Sequence, residues 1–148
     1  MSLSHSFTLD VIFPNGSVIT ADGESLLVAE TFAHRISECR LNSRGRMRSK
    51  QVWAEFGEVT PDGICLDRED ALWIASPGTR NLMRVTPGGD ILALCETRGT
   101  PYACMLGGDD RRTLYVCTAE TDDPVQAKQF KSGRIERVDV AVPGVGLP

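Results

Sequence analysis

Several things are scarce in this sequence, and each scarcity excludes a class of function. No apolar run in the 148 residues approaches the roughly 18 to 20 that a membrane-spanning helix needs. The N-terminus lacks the basic-then-apolar order of a signal peptide. Neither sign of charge dominates: 16 Lys and Arg against 20 Asp and Glu leave a net charge of -4 and a pI near 5.2. Binding to nucleic acid through phosphate contacts is therefore not expected. Histidine occurs twice, at His5 and His34, which excludes a site built on several imidazoles. The five cysteines form no Cys-x-x-Cys pair, and their odd number does not fit a closed disulfide framework. Most are flanked by apolar residues and read as small buried side chains in a reducing compartment. Also missing are a Gly-x-Ser-x-Gly elbow, a phosphate-binding P-loop, a His-Glu-x-x-His helix and a dinucleotide fingerprint. A soluble cytoplasmic protein, with no nucleic acid and no membrane among its partners, is the expectation.

What is present is a threefold internal repeat. Leu26-Leu27-Val28-Ala29-Glu30, Leu72-Trp73-Ile74-Ala75-Ser76 and Leu114-Tyr115-Val116-Cys117-Thr118 begin 46 and 42 residues apart. Each follows a polar turn: Ala21-Asp22-Gly23-Glu24, Asp67-Arg68-Glu69-Asp70 or Gly108-Asp109-Asp110-Arg111. Each precedes an alternating segment, such as Arg134-Ile135-Glu136-Arg137-Val138. Short strands between Asp-Gly and Pro-Gly turns, without a sustained helical period, predict an all-β fold. A unit of this size with three or four strands is one β-propeller blade. The sequence therefore predicts a single partial propeller domain over residues 1–148. Its three blades, of about four strands each, lie near 13–55, 56–97 and 98–142, with a leader and a preceding strand over 1–12. Continuous apolar strands such as Leu72 to Ala75 are expected between blades, and alternating ones further out. Ala119 to Ser132 reads as a surface insertion with a short helix around Val125 to Phe130.

Three blades are too few for a closed ring, which takes about four to eight. Either the chain is part of a longer protein or two copies close one ring as a homodimer, since an open half-ring exposes strand edges and blade faces.

Three blocks carry a family resemblance. They are Pro14-Asn15-Gly16 with Leu27-Val28-Ala29-Glu30-Thr31, then Pro61-Asp62-Gly63-Ile64 with Leu72-Trp73-Ile74-Ala75, and Gly107-Gly108 with Leu114-Tyr115-Val116 and Gly133-Arg134-Ile135. Together and in this order the chain resembles the C-terminal half of the gluconolactonase / senescence-marker-protein-30 (regucalcin) family of six-bladed propellers. The resemblance implies that Asn15 and Asp62 point into the central channel and hold one divalent cation. Amide and carboxylate oxygens suit calcium, magnesium or manganese, with zinc also allowed. It further implies hydrolysis of a sugar lactone, the cation polarising the carbonyl and activating water while Asp62 moves a proton as the catalytic carboxylate. On residue preference alone, Pro-Asn-Gly and Pro-Asp-Gly are turns. The blades that complete the family's site with a Glu and substrate-binding residues are absent, so this chain alone is expected to be weakly active or inactive. A non-catalytic calcium-binding or protein-interaction module is the alternative.

Other candidates have plainer readings. The basic run Arg44 to Lys50 reads as a solvated hairpin, and His34 as a loop residue. Glu30 and Glu120 are expected to face solvent between blades. Tyr102 is no obvious metal ligand, and Phe13, Phe56, Trp53, Trp73 and Tyr115 read as blade-packing residues.

Overall fold

The structure, a computed structural model, describes residues 10–145, so most of the leader and preceding strand expected over 1–12 lies outside it, and residues 10–12 form no strand. Three antiparallel sheets follow one another along the chain. The first holds β1 (Pro14–Ile19), β2 (Ser25–Glu30), β3 (Arg35–Leu41) and β4 (Met47–Glu55), with a 3-10 turn at Thr31–Ala33. The second holds β5 (Ile64–Leu66), β6 (Leu72–Ser76), β7 (Asn81–Val85) and β8 (Ile91–Cys95). The third holds β9 (Thr100–Gly107), β10 (Thr113–Ala119) and β11 (Arg134–Asp139). This is the expected all-β partial propeller. The third sheet, among the described residues, has three strands against the expected four, so β11 ends it with a free edge.

Each repeat turn is built the same way: a carboxylate takes up backbone donors that the tight bend leaves unpaired. Asp22 accepts from the Glu24 N–H at 2.9 Å, Asp67 from Glu69 and Ala71, and Asp110 from Arg112. Asp67, fully buried, also receives Arg84 Nε at 2.7 Å. In the insertion, α1 (Pro124–Phe130) starts where Asp123 caps the Val125 and Gln126 N–H groups, with Pro124 in the first turn.

The strand β6 shows why an apolar run needs two covered faces. Leu72 and Ile74 pack against Leu27, Ala29 and Ile36 of the first sheet. Trp73 and Ala75 pack the other way, with Leu106, Leu114 and Val116 of the third. The outer face of the third sheet stays open. There Met105, Tyr115, Cys117 and Ile135 are exposed on one face, with Ile135 at 75%. Tyr115 is thus not a blade-packing residue in this chain.

On the outer face of the first sheet lies a buried ion cluster that the sequence reading placed in water. Glu30 is fully buried. It accepts from Arg35 Nη2 at 3.0 Å, Lys50 Nζ at 2.6 Å, Ser37 Oγ at 2.5 Å and the Ile12 N–H at 2.7 Å. Lys50 also donates to the Asp10 carbonyl at 2.6 Å. The basic run is accordingly split: Arg44 and Arg46 bracket the hairpin turn around Asn42, whereas Lys50 belongs to β4 and to this cluster. Burial alone would push the Glu30 carboxyl up, but the donors from Arg35, Lys50, Ser37 and Ile12 outweigh it and hold it at about 2. Because the folded value lies below the unfolded one, this contribution is complete above pH 4.5 or so. It is lost as pH falls toward 2, and amounts to roughly 3 kcal/mol. Urea unfolding of the wild type and Glu30→Gln at pH 7, 4 and 3 should show the gap between them closing as pH falls; a constant gap would refute the linkage.

Candidate functional site

The two Pro-x-Gly motifs lie where successive innermost strands meet. The Gly16 N–H donates to the Asp62 carbonyl at 3.0 Å, and the Gly63 N–H donates to the Tyr102 carbonyl at 2.9 Å. These bonds run from blade to blade and set Asn15, Asp62 and Tyr102 side by side at one end of the hub. Neither glycine has a positive φ. What each provides is room: a Cβ on Gly16 would collide with the Asp62 carbonyl oxygen, and one on Gly63 with the backbone of Ala103. The motifs are therefore not turns but close approaches between blades.

Asn15, Asp62 and Tyr102 line a cavity of about 690 Å³. The Asn15 side chain stands beside the Asp62 carboxylate and favours its charged form. Burial pushes the Asp62 carboxyl up from its ordinary value, and Asn15 pulls it part of the way back. Thr31 braces this pair: its hydroxyl donates to the Pro61 carbonyl at 2.8 Å and accepts from Asn15 Nδ2 at 3.4 Å. The Tyr102 phenol is pushed up by burial and by the negative charges of Asp122 and Asp62. Arg80, Glu120 and Asp122 complete the rim. The sequence reading gave Thr31 no role at the site although it ends the Leu27-to-Thr31 block, and it missed Arg80 and Asp122, which belong to no recognisable motif. It placed Glu120 facing solvent; the residue is exposed and also lines the cavity mouth. His34 bonds the Val59 carbonyl through Nδ1 at 2.9 Å and is not among the lining residues.

The other end of the hub is different. A cavity of about 440 Å³ there is lined by Ile19, Leu66, Met105, Leu106 and Val145, with Arg111 the charged group among its lining residues. Among the described residues it presents no carboxylate, in contrast to the Asn15–Asp62 end.

Against known proteins, a family profile described as the SMP-30/Gluconolactonase/LRE-like region matches residues 4–120. The chain belongs to that family. Regucalcin of Xenopus laevis is 31% identical over 85 residues, which are 55% of this chain and 28% of the relative. Among solved structures, a calcium-binding regucalcin from Agrobacterium tumefaciens superposes with a TM-score of 0.74 at 22% identity, covering 94% of this chain and 50% of that one. A gluconolactonase from Xanthomonas campestris superposes with a TM-score of 0.64 at 24% identity, covering 74% and 36% respectively. The chain thus spans at most about half the length of these relatives.

The family implies a divalent cation, and the donors present suit one. A carboxylate and an amide oxygen, both hard, converge in a concave pocket, and the carboxylate is partly desolvated. Among the described residues no group of three or more His, Cys, Asp and Glu gathers there. Asn15 and Asp62 would hold such an ion with part of its coordination sphere left to water.

Proposed function

We propose that this chain is part of a metal-dependent sugar-lactone hydrolase, with Asn15 and Asp62 its cation-holding pair. The observation that supports this best is their meeting, from two different blades, in the cavity at one end of the hub. A divalent cation (calcium, magnesium, manganese or zinc) bound there supplies Lewis acidity toward a lactone carbonyl and toward water. The chain's own residues do the rest. Asp62 offers the anionic oxygen and takes the proton from the attacking water. Asn15 fixes the rotamer of that carboxylate, and Thr31 fixes Asn15. The blade contacts at Gly16 and Gly63 keep the pair preorganised, so no reorganisation is needed at the moment of reaction.

Two protein ligands make a weak site, with a calcium Kd expected at roughly millimolar. A ring closed by a second copy is part of the proposal, because the outer faces of the first and third sheets both carry exposed apolar side chains. Five free thiols suit a cytoplasmic, reducing setting. The missing third carboxylate is the observation that favours the second reading, cation binding without chemistry.

Calorimetric titration of calcium into the wild type and into Asp62→Ala tests the site. Binding should vanish in the variant while its far-ultraviolet circular dichroism is unchanged. A wild type that binds no divalent ion would refute the metal assignment. The purified chain should turn over glucono-δ-lactone slowly or not at all; efficient cation-dependent turnover would overturn the view that the site is incomplete. Calcium binding together with no turnover when the blades that supply the missing Glu are also present would decide for the non-catalytic reading.

A further inference from the structure

One wall of the Asp62 cavity is apolar and has no structural use within the chain. Phe13 and Phe32 lie on it with ring centroids 4.5 Å apart and planes inclined by 37°. Both remain 54% and 63% exposed, although the sequence reading assigned Phe13 to blade packing. Neither belongs to a sheet face. Phe13 lies just before β1, and Phe32 is in the 3-10 turn after β2, both at the Asp62 end of the hub. Phe13 is held at φ 52, in the left-handed region that a bulky aromatic residue avoids. The Thr31 N–H donates to the Phe13 carbonyl at 3.2 Å, so the residue that braces Asn15 and Pro61 also fixes this strained position. Backbone strain of this kind, retained beside a cavity, marks a side chain whose placement matters.

Much of the rest of the lining is polar: Arg80, Tyr102 and Asp122 come to the cavity from the second and third blades. A cavity with an aromatic wall and a hydrogen-bonding wall matches a ring with one C–H face and a polar edge. The negative face of a phenyl ring attracts the slightly positive axial hydrogens of such a ring. Arginine, carboxylate and phenol then serve its hydroxyls.

We infer that Phe13 and Phe32 form a stacking platform for the C–H face of a saturated six-membered polyhydroxylated ring, seated beside Asp62. The inference takes the identity of the ring from the lactonase reading, while the platform itself is a binding site with or without chemistry. It explains why two aromatic side chains stay in water at the mouth of a pocket. It also assigns the aromatic wall to positioning, since neither ring has a group that could move a proton.

The test uses 1,5-anhydro-D-glucitol, a pyranose ring with equatorial hydroxyls and no reactive carbonyl. Saturation-transfer NMR with irradiation of the aromatic protons should give the largest transfer to the axial hydrogens of one ring face. Phe32→Ala should weaken binding about fivefold, the scale of one aromatic contact. Phe32→Tyr should restore it to within about twofold, whereas Phe32→Leu, apolar but without the π face, should not. Calcium affinity, titrated separately, should be unchanged in all three variants. No binding of the ring by the wild type, or equal binding by Phe32→Ala, would overturn the platform whatever calcium does. Ring binding that needs Phe32 in a protein that binds no calcium would uphold the platform and sink the lactonase reading instead.

Discussion

Glu30→Gln should remove about 3 to 5 kcal/mol of stability, the range for breaking one partner out of a buried ion cluster. The substitution keeps the size of the side chain but removes the carboxylate that Arg35 and Lys50 share, leaving Arg35 with Glu55 alone beside it. The Arg35 and Lys50 side chains are only 24% and 18% exposed, so water repays little of the loss. Ser37 and the Ile12 N–H lose a charged acceptor at the same time. For a domain of this size the melting temperature should fall by roughly 10 to 20 °C. The loss is a matter of unpaired charge rather than packing, so Lys50→Met placed on top of Glu30→Gln should recover part of it, visible as a non-additive double-mutant cycle. Strict additivity would show that the three side chains act independently and that the cluster has been misread.

Gly63→Ala is the second large effect. A methyl group there would meet Ala103 Cα at 2.5 Å and the Tyr102 carbonyl oxygen at 2.9 Å. Both are backbone atoms of the neighbouring inner strand, so no side-chain rotation relieves them. The second and third blades must separate, and the 2.9 Å bond from the Gly63 N–H to Tyr102 is lost with them. Overpacking and the lost bond together should cost about 3 kcal/mol. Because Asp62 precedes the displaced residue, calcium binding should disappear as well. Gly23→Ala is the control: Gly23 has φ 74 and open space around its Cα, so that change should cost only about 1 kcal/mol and leave the site intact. Urea midpoints for the two variants check the pair; equal losses would refute the close-approach argument.

The same two glycines show what was legible in the sequence. Asp22-Gly23 and Asp62-Gly63 are the same dipeptide, and residue preference reads both as turns. One is a turn with a left-handed glycine, and the other is a strand contact whose glycine makes way for another blade. Only their places in the repeat separate them. The strands, their order and the insertion helix were legible, because apolar runs, alternation and a Pro after an Asp cap are local signals. Glu30 was not. Its burial depends on Lys50 arriving from β4 and on Ile12 crossing from the other side, and neither is local. The aromatic wall was hidden for a similar reason: Phe13 looks like any core residue until its partner turns out to be Phe32 at the edge of a cavity.

The free margin of the third sheet has a consequence for how copies of this chain can meet. Along β11, Arg134, Glu136, Arg137 and Asp139 are charged, four of its six positions. A margin so heavily fenced with ions resists zipping onto another strand, which is the route to fibres. The exposed apolar side chains of this sheet, Met105, Tyr115 and Ile135, lie on its face and not along this fenced margin.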